Sequence, residues 1–159
     1  RIILFIIFVS LFSCKEKKQI ITHQQETSIS FVSDFSKLFT ESQKDSLNFK
    51  LRTFEKETTN EIAIVALDSI QGDIVTFSVN LGNEMGVGKK DNSNGLLILL
   101  VNSTRQVRIT TGYGTEKILT DSICQNIIDQ QTIPEFKKDN FYKGINDALD
   151  EIIKLWVRE

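Results

Sequence analysis

Apolar and polar positions along this chain switch between two periods, and the switching marks out helices and strands in turn. Leu47, Leu51 and Phe54 recur at helical spacing behind Thr40 and Gln43, a Thr-x-x-Gln pair whose side chains satisfy each other's backbone donors at a helix start. The spacing predicts a helix running to about Thr58. Residues 61–67, EIAIVAL, are a short apolar run rich in β-branched side chains, bounded by Asn60 and Asp68, and read as a buried strand. After Gly72, Asp73 stands where it caps a second helix whose Ile74, Phe77, Leu81 and Met85 share one face, closed by Gly86 and Gly88. Residues 96–101, LLILLV, give a second buried strand, expected to be parallel to the first because a crossover helix joins them.

Residues 102–105, NSTR, are turn chemistry of hairpin length, and QVRITT at 106–111 alternates polar and apolar at period two. A third strand therefore returns antiparallel beside the second. A helix is expected from Thr120 or Asp121, with Ile123, Ile127 and Ile128 inward. A last one runs from about Phe141 to Val157, with Phe141, Ile145, Leu149, Ile152 and Trp156 on one face. The sum is a layered α/β domain with a small mixed sheet.

The front of the chain follows other rules. Arg1 precedes an apolar stretch at residues 2–12 that is too short to span a bilayer, which takes about 20 residues, and has the length of a secretory signal's apolar core. Without an initiator Met, the chain is expected to lack a few leading residues. Leu11-Phe12-Ser13-Cys14 resembles the lipobox of bacterial lipoproteins, in which the cysteine is freed by cleavage and acylated; the bulky Phe12 departs from the pattern. The organisation read from this is a signal peptide at 1–13, a lipidated Cys14 with a polar tether to residue 30, and one domain over 31–159. Multiple acyl chains on Cys14 give stable anchoring, placing the domain on a bacterial cell membrane and facing the periplasm or the exterior.

Composition removes several classes of function. With 40% hydrophobic and 25% charged residues the chain is an ordinary globular domain, and a net charge of −2 with interspersed signs offers nucleic acid no basic stripe. The single histidine, His23, lies in the tether, so catalysis that needs a histidine from the folded core is out of reach. Once Cys14 is acylated, Cys124 has no cysteine to pair with, and its helical stripe with Ile123, Ile127 and Ile128 reads as core.

The topology predicts which loops meet. If the third strand is antiparallel to the second, the segment 91–95, DNSNG, faces 112–116, GYGTE, and the helix from Asp121 opens at the same edge. Asp91, Glu116 and Asp121 should then converge near glycine-lined backbone, the hard-oxygen environment that calcium takes. The EF-hand pattern fails, because glycine falls at loop position five and position twelve is Asn102. Gly112-x-Gly114 lacks the third glycine of a dinucleotide loop, and Gly88-Lys89-Lys90 lacks the upstream glycine and following Ser/Thr of a P-loop.

Taken together, several blocks resemble the TPM domain family. They are Val32-x-Asp34, the strand after Asn60-Glu61, Gly86-Val87-Gly88, Asp91-Asn92-x-Asn94-Gly95-Leu96, and Arg108 before Gly112-Tyr113-Gly114-x-Glu116. Leu119-Thr120-Asp121, Pro134-x-Phe136 and Tyr142-x-x-Gly144 complete the set. The family is named for a plant thylakoid-lumen acid phosphatase, a photosystem II repair protein and an animal membrane protein that modulates acetylcholine receptors. The resemblance implies a three-layer α/β/α sandwich, exported or membrane-attached, with members that bind calcium and some reported as acid phosphatases. Carried over by position, Asp34, Asp91, Asn92, Glu116 and Asp121 are the candidate metal ligands, with Asp34 expected nearer the opposite sheet edge.

Two functions follow. The first is a non-enzymatic accessory or assembly module of the cell envelope, monomeric, lipid-anchored, calcium-binding and partnered by another envelope protein. The alternative is a metal-assisted acid phosphatase acting on phosphomonoesters, with Glu116 accepting a proton and Arg108 or Lys117 steadying charge. A cysteine phosphatase loop is excluded by Gln130 in the place of its arginine, and no Asp-x-Asp pair suggests an aspartyl-phosphate enzyme.

Overall fold

The computed structural model describes residues 30–157. Its elements are β1 (Val32–Asp34), α1 (Glu41–Thr58), β2 (Glu61–Leu67), α2 (Ile74–Met85), β3 (Gly95–Val101), β4 (Gln106–Thr111), α3 (Asp121–Ile127), α4 (Ile133–Phe136) and α5 (Phe141–Trp156). The sheet order is β1-β2-β3-β4, with β1, β2 and β3 parallel and β4 antiparallel to β3. The expected pairing of the two apolar runs and the hairpin return of the third strand are both observed.

The local signals act as their chemistry requires. Thr40 and Gln43 form a full capping box at α1, with Thr40 N donating to Gln43 Oε1 at 2.8 Å. Asp73 caps α2 by accepting from Thr76 N at 2.8 Å. Both faces of β2 and β3 are covered, which is why these strands read as continuous apolar runs rather than alternating ones. Ile62, Ile64, Leu96, Ile98 and Ile109 point into the larger core under α1, α3 and α5, where Leu47, Leu51, Cys124, Leu149 and Ile152 meet them. Ala63, Val65, Leu97 and Leu99 point the other way, against Ile74, Phe77 and Leu81 of α2. Helices on both faces of one sheet make a three-layer α/β/α sandwich.

Three features differ from the sequence expectation. β1 is an additional strand of three residues, paired to β2 through Val32 and Ile64. Its length is too short to show a period, and its partner lies beyond an intervening helix. Met85, expected on the inner face of α2, is exposed, and the residue of α2 that is fully buried is Ser78, whose hydroxyl meets Thr110 Oγ1 at 2.7 Å. The helix from Asp121 continues through a π turn at Ile128–Thr132 into α4. Pro134 gives the reason: it lacks an N–H, and its ring would strike the carbonyl of residue 130 in a regular α-helix, so a wider turn relieves the contact.

Gly144 of α5 completes this corner. A Cβ there would lie 3.0 Å from the Phe136 ring and 3.1 Å from the Thr132 carbonyl, so its absence lets α5 close on the π turn. Among the described residues no helix is long and apolar enough to cross a membrane.

Candidate functional site

The N-terminal ends of β2 and β3 and the C-terminal end of β4 lie at one sheet edge, where Glu61 pairs with Gly95 and Leu96 with Thr111. The segment leading from α2 into β3 folds onto this edge through backbone contact. A Cβ on Gly95 would stand 2.1 Å from the Val87 carbonyl oxygen, and one on Gly114 the same distance from that of Asn92. Gly88 adds a left-handed φ of +95°, which its lack of a side chain permits. Gly112 N donates to Gly95 O at 2.9 Å and Gly114 N to Ser93 O at 3.0 Å. The two loops expected to face one another therefore do.

Asn94 locks the arrangement. Only 7% exposed, it accepts from Lys89 N at 2.8 Å and donates to Thr59 O at 2.9 Å and to Asn60 Oδ1 at 3.0 Å. Thr115, fully buried, donates its hydroxyl to Gly95 O at 3.0 Å. Lys89 binds Glu55 at 2.8 Å and reaches Glu61 at 3.7 Å. The Glu55 hydrogen bond, followed by the charges of Glu55 and Glu61, holds this ammonium above the usual lysine range. Sequence reading quoted Asn94 and Lys89 within motifs but assigned neither this clasping role, and gave Thr115 no role. The signal for Asn94 was an amide directly before a glycine at a strand entrance; nothing local distinguished Thr115.

The candidate ligands separate into groups. Asp91 and Asn92 are exposed on a turn whose Asn92 and Ser93 amides donate to Lys89 O. Glu116, also exposed, lies in a short 3-10 turn at Thr115–Lys117 on the facing loop, beside exposed Lys117. Neither Asp91 nor Glu116 makes an ion pair among the described residues. Asp121 begins α3 and is held by Arg108 at 3.2 Å. Asp34 is at the opposite edge, in register with Ala66 near the ends of the parallel strands, where it accepts from Leu38 N at 3.1 Å and Phe39 N at 2.8 Å. Its role there is to cap the loop into α1.

Among the described residues, no three His, Cys, Asp or Glu side chains gather to hold a metal ion. Asp91, Asn92 and Glu116 are exposed oxygen-bearing side chains on the two facing loops. Cys14 and His23 lie outside the described residues. Cys124 is buried, with its Sγ against Leu119 O at 3.6 Å. Burial, with the Asp121 charge behind it and Arg108 opposing, pushes this thiol up to about 11, which disfavours the thiolate a nucleophile needs.

Comparison with known proteins agrees with the architecture. The family model described as TPM domain matches residues 32–155. The N-terminal domain of a P. gingivalis protein solved by NMR is 32% identical, covers 82% of this chain and 83% of its own, and superposes with a TM-score of 0.75. The BA42 protein of the psychrophilic bacterium Bizionia argentinensis, at 17% identity, covers 79% and 86% with a TM-score of 0.69. The N-terminal domain of the cg2496 protein of Corynebacterium glutamicum, at 16%, covers 79% and 78% with a TM-score of 0.63. The last two show shared fold alone. No curated protein matches the chain. A family match spanning nearly every described element, on a fold with the expected strand order, means that this chain belongs to the TPM domain family.

Proposed function

We propose that this protein is a monomeric accessory or assembly module of the bacterial cell envelope, tethered to the membrane through acylated Cys14. In this reading its glycine-lined edge holds a divalent cation, calcium by preference, through Asp91, Asn92 and Glu116. The observation that carries the reading is the interlock of the two loops, with Gly95 against Val87 O and Gly114 against Asn92 O, on loops whose Asp91 and Glu116 make no ion pair among the described residues. A cation there would link the loops by charge; the chain's own residues supply the rigid frame.

The phosphatase reading has less support. Arg108, its proposed charge-steadying group, is engaged by Asp121, and the Cys124 thiol is buried. Calcium titration followed by melting temperature tests the site: a ligand at a hundred times its dissociation constant adds about 2.7 kcal/mol. The gain is expected in the native protein and absent in the Asp91→Asn, Glu116→Gln double variant. No rise at millimolar calcium in the native protein would sink the cation site. Phosphomonoester turnover that the double variant abolishes would instead favour the enzyme. Loss of membrane association in Cys14→Ser tests the tether.

A further inference from the structure

A cavity of about 440 Å³ opens beside the glycine edge, between the second half of α2 and the end of β4. That volume lies within the ~300–1,000 Å³ common to ligand sites. Its polar lining includes Asn83, Lys90, Ser93 and Thr111. None of these four side chains makes a hydrogen bond or ion pair among the described residues, whereas the neighbouring Lys89 is committed to Glu55 and Glu61. Apolar surface flanks them: Val79 is 42% exposed and Tyr113 84% exposed, and both line the cavity.

We propose that this cavity receives the C-terminal carboxylate and last apolar side chain of a partner polypeptide. One uncommitted ammonium, Lys90, matches the single charge of a terminal carboxylate better than a dianionic phosphate. The hydroxyls of Ser93 and Thr111 and the amide of Asn83 supply neutral donors around it. Val79 and the Tyr113 ring give an apolar side chain its walls, and the open mouth between them lets the preceding backbone leave. Capture of a chain terminus at a loop lined by backbone is a recurring recognition mode. The inference rests on the accessory-module reading and names the chemistry of its partner.

The test is an amide chemical-shift titration of the protein with three probes. They are an N-acetylated pentapeptide ending in phenylalanine with a free carboxylate, the same peptide amidated, and hydrocinnamate. The free-carboxylate peptide is expected to shift Thr111, Gly112 and Tyr113, with the amidated peptide and the Lys90→Ala variant each weakening binding by about tenfold. Equal binding of acid and amide, no shift at these residues, or hydrocinnamate binding as tightly as the peptide would each overturn it. Lys90 is exposed, so its variant keeps the fold, and the calcium response of Asp91 and Glu116 reports separately on the cation site.

Discussion

The side-chain amide of Asn94 donates to the carbonyl of Thr59 at 2.9 Å, joining the residue before β3 to the left-handed C-cap of α1. The same amide reaches Asn60 Oδ1, and its oxygen takes the Lys89 amide, so one buried side chain ties together three pieces of backbone at the candidate edge.

Asn94→Ala should therefore be costly for its size. It strips part-buried partners from Lys89 N and Thr59 O, and a hydrogen bond of this kind is worth ~0.5–1.5 kcal/mol, giving a loss of about 1–3 kcal/mol. Urea unfolding should show a midpoint lower by roughly 1–2 M. Asn94→Asp keeps the acceptor for Lys89 N but sets an anionic oxygen against the Thr59 carbonyl, and should not rescue. A midpoint within error of the native value in Asn94→Ala would show that the clasp contributes nothing.

Gly114 and Gly72 separate two reasons for glycine. Gly114 has φ of −70° and ψ of −41°, which any residue adopts, yet a Cβ would meet Asn92 O at 2.1 Å. Gly72 has φ of +80° and open space around it. Gly114→Ala is expected to lose about 1–3 kcal/mol by overpacking, with amide shifts over residues 91–93, while Gly72→Ala loses about 1 kcal/mol and shifts only its own turn. Amide spectra of the two variants provide the comparison, and unchanged 91–93 signals in Gly114→Ala would refute the contact.

Arg108 and Asp121 tie the two faces of the sheet across its outer strand. Arg108 pairs in register with Leu99, which points toward α2, whereas Asp121 starts α3 on the opposite face. Ile109, on this edge strand, is nonetheless only 2% exposed. The ion pair itself, with the Asp121 side chain 74% exposed, is worth under about 1 kcal/mol. The Arg108 side chain is only 25% exposed, so its methylene stem takes apolar area out of water, and Arg108→Ala should destabilise more than Asp121→Ala in thermal melts. Equal losses would assign the effect to charge alone.

Cys124 sets an alkaline limit. Its folded-state thiol is raised by burial to about 11 from an ordinary 9.0, so the folded protein holds its proton where the unfolded chain has lost it. Stability from this group is complete below pH 9 and falls as pH rises from 9 toward 11. Cys124→Ala should flatten that part of the stability curve, measured by urea unfolding at stepped pH. An identical slope in native protein and variant would remove Cys124 from the account.

The chain by itself determined the helices with caps, the two apolar strands, their parallel pairing and the hairpin return. Each depends on near-neighbour chemistry: a Thr-x-x-Gln start, a β-branched run, a crossover that admits one handedness. It also determined that residues 91–95 and 112–116 meet, because strand direction alone sets which ends share an edge. Tertiary structure decided the rest. β1 exists only through its pairing with β2, and the widened turn before Pro134 answers to packing against Gly144 as well as to the proline. Asp34, Asp91, Glu116 and Asp121 are equally acidic on the page of sequence. Only the fold gives Asp34 to a loop cap, gives Asp121 to Arg108, and leaves Asp91 and Glu116 without ion-pair partners among the described residues, because side-chain commitments are made between elements distant in sequence.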